Sequence, residues 1–257
     1  MWKSICLSKK IMKIGIIVQT RMGSTRLPGK AMMKADETNL MLDYTINQLS
    51  NCKNHNQIII ATTNLQRDDV IAQYCENLNV EVFRGDEQNV LDRHYQCAKK
   101  FSFSHIVRIP SDKPLIDPQI VDLVIEKFSS NKFDYVANCG FIKKNNEFIL
   151  DSTYPSGTEV EMFSFEALET AWKNAITSEE REHVTPYIYL HPEKFKIHTI
   201  NLLKDFSDLR WALDYESDMK LIREIISRIK NRPILMNDII SLLENNPKLK
   251  EINRINH

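Results

Sequence analysis

Lys13-Ile14-Gly15-Ile16-Ile17-Val18-Gln19 runs directly into Thr20-Arg21-Met22-Gly23-Ser24-Thr25-Arg26-Leu27-Pro28-Gly29-Lys30. The first segment is short, β-branched and apolar through its middle, as a parallel strand covered on both faces must be. The second is a polar loop carrying three cations, Arg21, Arg26 and Lys30, and two of the chain's six glycines. Six glycines in 257 residues is about 2%, against a usual ~7%. Gly23 and Gly29 therefore mark places where the backbone needs positive φ or close approach to a ligand. Open α/β sheets bind ligands at the carboxyl ends of their strands. A loop there can cradle phosphate oxygens with backbone N–H groups, and its cations suit a triphosphate. The stretch is neither a GxxxxGK[ST] nor a GxGxxG loop.

Moving outward, apolar runs recur at 57–63, 79–83, 105–110 and 134–138, with helical patterns between them near 40–50, 67–78, 88–101 and 117–129. That alternation predicts βαβ units and a mainly parallel sheet. From about residue 140 the alternation breaks. Residues 140–157, with Lys143-Lys144-Asn145-Asn146, read as an exposed loop. A strand at 158–163, a helix at 164–175, a helical stretch near 179–190, a strand pair near 195–202 and 209–213, and helices at 216–230 and 233–246 follow. One α/β domain over 13–246 is expected, with a first half at about 13–140, an α+β insertion at about 150–215, an N-terminal extension at 1–12 and a tail at 247–257.

Composition removes several classes. Lys+Arg and Asp+Glu are both 34, a formal net charge of 34 − 34 = 0, which disfavours a nucleic-acid binder. The five cysteines, at 6, 52, 75, 97 and 139, form no CxxC and leave an odd one out. This argues against a disulfide framework and fits a reducing, cytoplasmic setting. No apolar run could span a bilayer, so no membrane partner is expected.

Further motifs carry a resemblance. They are Arg84-Gly85-Asp86 with Asn89-Val90-Leu91-Asp92-Arg93-His94-Tyr95, Ser111-Asp112-Lys113-Pro114-Leu115-Ile116-Asp117-Pro118, Tyr154-Pro155-Ser156-Gly157-Thr158-Glu159-Val160-Glu161-Met162-Phe163, Arg181-Glu182-His183-Val184-Thr185-Pro186-Tyr187 and Leu209-Arg210-Trp211-Ala212-Leu213-Asp214. With the RMGSTRLPGK loop they resemble, in order, the motifs of SpsF-like (spore-coat polysaccharide) cytidylyltransferases, of the acylneuraminate and KDO cytidylyltransferase type. The resemblance implies a Rossmann-like, GT-A-like nucleotidyltransferase fold and transfer of CMP from CTP to an anionic sugar acid or phosphorylated acceptor, with release of pyrophosphate. It also implies Mg²⁺ as cofactor, and relatives of this kind are often homodimers. A nucleotide-sugar-dependent glycosyltransferase or a transferase using another NTP is the alternative, although no DxD stands at the central strand end.

The same resemblance assigns candidate residues. Arg21, Met22, Gly23, Ser24, Arg26 and Lys30 would hold the nucleotide, with Arg21 and Lys30 also catalytic. Asp112 and Asp214, each after a strand-like run, would hold the metal, where two carboxylates suffice for Mg²⁺; a lone Asp after a strand is otherwise a cap or turn former. Arg93 either touches base or phosphate or pairs with Asp92 or Glu87 on a helix surface. Glu159 and Glu161 either bind acceptor hydroxyls or line the wet face of an edge strand. Arg181, His183 and Arg210 are acceptor candidates, with His183 otherwise a core histidine and Arg210 otherwise in a structural ion pair. Lys113, where the family has Cys, either meets an anion or points to solvent. Asp117 reads as a helix N-cap.

Overall fold

The computed structural model describes residues 12–130, 132–144 and 147–254; residues 1–11 of the N-terminal extension expected at 1–12 lie outside them. In chain order the elements are β1 (Ile14–Gln19), α1 (Met41–Leu49), β2 (Gln57–Thr63), α2 (Asp69–Asn77), β3 (Glu81–Gly85), α3 (Val90–Lys100), β4 (His105–Pro110), α4 (Pro118–Ser130), β5 (Tyr135–Ala137), β6 (Gly140–Lys144), β7 (Glu147–Asp151), β8 (Glu161–Ser164), α5 (Phe165–Asn174), α6 (Ser178–His183), α7 (Pro186–Tyr189), β9 (Ile197–Thr199), α8 (Glu216–Arg228) and α9 (Met236–Asn245). Seven strands form one sheet in the order β3-β2-β1-β4-β8-β5-β9. The β3-β2-β1-β4 half is parallel, β8 lies antiparallel between β4 and β5, and β9 is parallel to β5.

β1 sits mid-sheet because both of its faces are apolar. Ile14, Ile16 and Val18 join one core with residues of α1, α4, α8 and α9, whereas Ile17 joins a second core with residues of α3, α5 and α7. Successive side chains of a strand point to opposite faces, so one β-branched run feeds both layers. The expected mainly parallel sheet with helices on both faces is the one observed.

Asp117 caps α4, accepting from the Gln119 amide at 2.7 Å, and its other oxygen accepts from the Met236 amide at 2.7 Å, tying in α9. Buried Gln48 of α1 accepts from the Ile234 amide at 2.9 Å and donates to the Ile116 carbonyl at 3.0 Å, so the same junction is sealed from the other side. The C-terminal segment also docks: Asn253 donates to the Arg210 carbonyl at 3.1 Å and to Asp218 at 2.9 Å.

Four local expectations are corrected. Within the loop expected at 140–157, β6 and β7 instead pair antiparallel as a two-stranded sheet separate from the main one. The 209–213 segment is not a strand. It makes one isolated bridge, Ser156 to Arg210, and its apolar alternation comes from Leu209, Trp211 and Leu213 pointing into the core. The 179–190 helix divides into α6 and α7 at Val184, whose φ is 73°. The strand expected at 158–163 begins only at Glu161 and is interior, not an edge, so both Glu159 and Glu161 are buried.

Gly157 locks the 209–213 segment against the preceding turn. Its φ is +106°, and a Cβ there would lie 2.7 Å from the Ala212 amide nitrogen and 2.9 Å from the Trp211 carbonyl carbon. Backbone cannot yield as a flexible side chain can, so Gly157→Ala should cost about 1–3 kcal/mol, a fall in Tm of roughly 2–10 °C. A thermal melt within 1 °C of the parent would show that the segment is not held by this contact.

Candidate functional site

At the carboxyl ends of β1, β4 and the 209–213 segment three loops converge. The Arg21–Lys30 loop is closed by the Gly29 amide bonding the Met22 carbonyl at 2.9 Å, with Gly29 at φ 69°. It is anchored below by buried Asp68, which accepts from the Met22 amide at 2.8 Å and from the Thr63 hydroxyl. Met22 and Gly23 thus stand behind the loop. A Cβ at Gly23 would run into Arg67 and Glu87 rather than a ligand space. Arg21, Ser24, Thr25, Arg26 and Lys30 face a cavity of about 320 Å³, closed by Arg93 of α3, Arg108 of β4, Ser111 and Asp112 after β4, Glu182 and His183 of α6, and Asp214.

Lys30 is the hub. Its ammonium donates to the Leu213 carbonyl at 2.6 Å and to Asp214 Oδ1 at 3.0 Å, and lies 3.5 Å from Asp112 Oδ2. Asp214 is further paired with Arg26 at 2.8 Å and with Arg210. Burial pushes the Asp214 carboxyl up, but the pull of Lys30, Arg210 and Arg26 outweighs it and holds it below the usual carboxylate range. The two predicted metal aspartates are thereby brought together through one cation. Asp112 Oδ1 is buried and has no hydrogen-bond partner. Among the described residues no three His, Cys, Asp or Glu side chains converge on a metal position. Two carboxylates with one orphaned oxygen fit a hard divalent cation that completes its shell with water and phosphate oxygens.

Arg93 is not a helix-surface arginine. It is 2% exposed, donates to the Asp86 carbonyl, leaves Nε unpartnered and forms no ion pair among the described residues. Burial, with neighbouring Arg21, lowers it to about 10. A buried guanidinium that makes no ion pair and leaves one donor unpartnered beside a cavity is suited to meet an anion.

A second cavity of about 210 Å³ adjoins the first, lined by Lys113, Ser156, Glu159, Glu161 and Arg210 among others. Lys113 does not point to solvent: it donates to the Glu159 carbonyl at 2.8 Å and pairs with its carboxylate at 3.0 Å. Burial lowers Lys113, and Glu159 more than offsets that, so its value is raised. Arg210 donates to Ser156 Oγ at 3.0 Å besides pairing with Asp214, and its Nε is unpartnered. Arg181 does not join this cavity. It bonds the Ala175 carbonyl at 2.7 Å and borders a separate cleft with Arg21, Ser178 and Glu182. His183 is exposed, on the wall of the first cavity rather than in the core. Glu182 reaches across that cavity's mouth to Arg21 at 3.7 Å. Gln19, Asp68, Arg108 and Glu182 were not among the sequence candidates; of these only Glu182 lay in a quoted motif.

The family profile described as cytidylyltransferase matches residues 15–239. The chain belongs to the cytidylyltransferase family. It is 38% identical over 245 residues, 94% of this chain and 95% of the relative, to an uncharacterised protein of Methanocaldococcus jannaschii. It is 29% identical to the spore coat polysaccharide biosynthesis protein SpsF of Bacillus subtilis, covering 90% of this chain and 94% of that one. The solved structure of a cytidylyltransferase from Leptospira borgpetersenii superimposes with a TM-score of 0.85 at 30% identity, covering 93% of this chain and 97% of that chain. The cytidylyltransferase is thus a CTP-utilising nucleotidyltransferase, and the glycosyltransferase alternative falls away. None of its helices, among the described residues, is long and apolar enough to cross a membrane.

The buried state of Arg93 makes a sharp expectation. Arg93→Met should leave the fold of the ligand-free protein as stable as the parent or more so, while weakening CTP binding at least tenfold, since a charge-assisted bond to phosphate contributes about 1.5–3 kcal/mol. Paired thermal melts and calorimetric CTP titrations check it. Unchanged CTP affinity would remove Arg93 from the nucleotide site.

Proposed function

We propose that the protein transfers CMP from CTP to an anionic sugar acid or phosphorylated acceptor, releasing pyrophosphate, in the cytoplasmic synthesis of a surface polysaccharide or glycoconjugate. The orphaned Asp112 oxygen beside Asp214, at the wall shared by the two cavities, carries this reading. Arg21, Arg26, Lys30 and Arg93 line the first cavity and meet the triphosphate there. The acceptor occupies the second cavity.

The acceptor oxygen forms a bond to the α-phosphorus. The bond from that phosphorus to the β-bridging oxygen breaks, and its electron pair leaves with pyrophosphate. A hydroxyl acceptor gives up its proton on this path to a general base at the junction of the two cavities, whereas His183 stands on the wall of the first. Asp112 and Asp214 would hold Mg²⁺, which when bound neutralises charge on the phosphate oxygens.

Charge counting favours an anionic acceptor. With Asp112 and Asp214 committed to a divalent cation, the second cavity keeps Arg108, Lys113 and Arg210 against Glu159 and Glu161, three cations to two carboxylates. Of the two arginines the sequence offered for the acceptor, Arg210 lines this cavity and has a spare Nε.

Pyrophosphate release with each of four NTPs, over a panel of sugar acids, sugar and polyol phosphates and neutral sugars, tests the reading. CTP with an anionic acceptor should be turned over, and neutral sugars should not. Asp112→Asn and Asp214→Asn should each lower turnover by at least about 100-fold while remaining folded. Near-parental rates in either folded variant, or robust transfer to a neutral unphosphorylated sugar, would contradict it.

A further inference from the structure

The two cavities share four lining residues: Arg108, Pro110, Asp112 and Asp214. If the nucleotide fills one cavity and the acceptor the other, the atom transferred between them passes this shared wall. Asp112 and Asp214 are carboxylates and Pro110 has no polar side chain, so Arg108 is the one cation among the four.

Arg108 is held in place by the sheet itself. It lies on β4 directly opposite Glu161 of β8 in the antiparallel register. Its Nη1 donates to Glu161 Oε2, and its Nε donates to Gln19 Oε1 at 3.0 Å. The second Glu161 oxygen accepts from the Tyr135 hydroxyl at 2.7 Å and from Thr185 Oγ1 at 2.6 Å. Three donors saturate this buried carboxylate and leave it little capacity for an acceptor hydroxyl. Arg108 itself lines both cavities, and with Nε and Nη1 engaged by Gln19 and Glu161, Nη2 is the edge of the fork left to face them. Buried ion pairs are weak contributors to stability, and a hydrophobic pair of similar volume often serves as well. A pair with both partners this buried, mid-sheet at a cavity junction, is better explained by what its free edge does.

We propose that Arg108 is a further catalytic residue, donating from its free edge to the α-phosphoryl group during transfer, and that Glu161 is the positioning residue that aims it. The proposal rests on the nucleotidyl-transfer reading above. Arg108 gives up no proton in the reaction. It is a fixed donor directed at charge that develops between the two cavities, and such a donor need not tighten the ground-state complex.

The test separates this role from a structural one. Removing one partner alone strands a buried charge, so the pair Arg108→Gln/Glu161→Gln is measured beside Arg108→Lys and Glu161→Gln. CTP affinity is read by calorimetry with Mg²⁺, and turnover by pyrophosphate release with the acceptor that the panel selects. The double variant should melt within a few degrees of the parent and bind CTP within about threefold, yet lose kcat by about 100-fold or more. Arg108→Lys should fail to restore the rate, because a point charge cannot reproduce the clamped fork. Glu161→Gln should lower kcat with little change in acceptor KM, whereas a residue that binds the acceptor would raise KM. A double variant turning over within threefold of the parent would overturn the proposal while the nucleotidyl-transfer reading stands. A loss of CTP affinity as large as the loss of kcat would reassign Arg108 to ground-state nucleotide binding. A parent protein that binds no CTP would overturn both the proposal and the reading beneath it.

Discussion

One lysine ammonium ties together three loops that are distant in sequence. Lys30 Nζ reaches the Leu213 carbonyl and Asp214 on one side and Asp112 on the other, joining the ends of β1, β4 and the 209–213 segment. Two carboxylates pointed at a common space repel unless a cation lies between them. Lys30, Arg26 and Arg210 supply that charge. The loop that offers cations to a triphosphate thus also neutralises the aspartates that suit a metal.

The sheet explains why this convergence occurs where it does. The parallel half directs the carboxyl ends of β1 and β4 toward one edge. The antiparallel insertion of β8 beside β4 then sets Glu161 against Arg108 at the same edge. The 209–213 segment reaches the junction from the other direction, its backbone pinned by bonds from the Trp211 amide to the Ser156 carbonyl and from the Leu213 amide to the Asp112 carbonyl. The two cavities adjoin at Arg108, Pro110, Asp112 and Asp214, and in-line transfer needs the nucleotide and the acceptor to meet at such a junction.

What could be read in the sequence follows from these constraints. β1 and its loop were legible because a strand buried on both faces is apolar without interruption and a glycine-poor chain concentrates its glycines where the backbone requires them. Asp112 and Asp214 drew notice through the motifs that carry the family resemblance, since an Asp after an apolar run by itself reads as a cap or turn former. The 209–213 segment misled because alternation reports one-sided burial, not ladder partners, and Leu209, Trp211 and Leu213 are buried without a strand. The hairpin at 140–151 was hidden by its polar residues. For Arg93 the sequence left a nucleotide contact and a helix-surface ion pair both open, because its burial depends on long-range packing around α3. Arg108 was inconspicuous inside Ile106-Val107-Arg108-Ile109-Pro110, since only the pairing of β4 with β8 gives it Glu161 and a place between cavities.

The central claim is that Asp112 and Asp214, bridged by Lys30, form the seat of a divalent cation bound together with CTP. Calorimetric titration of the intact protein with CTP, once with excess Mg²⁺ and once with EDTA, tests it most directly. The account predicts saturable one-to-one binding that is at least about tenfold tighter with the metal, because the cation would link the aspartate pair to the phosphates. CTP binding of equal strength in both buffers would contradict it.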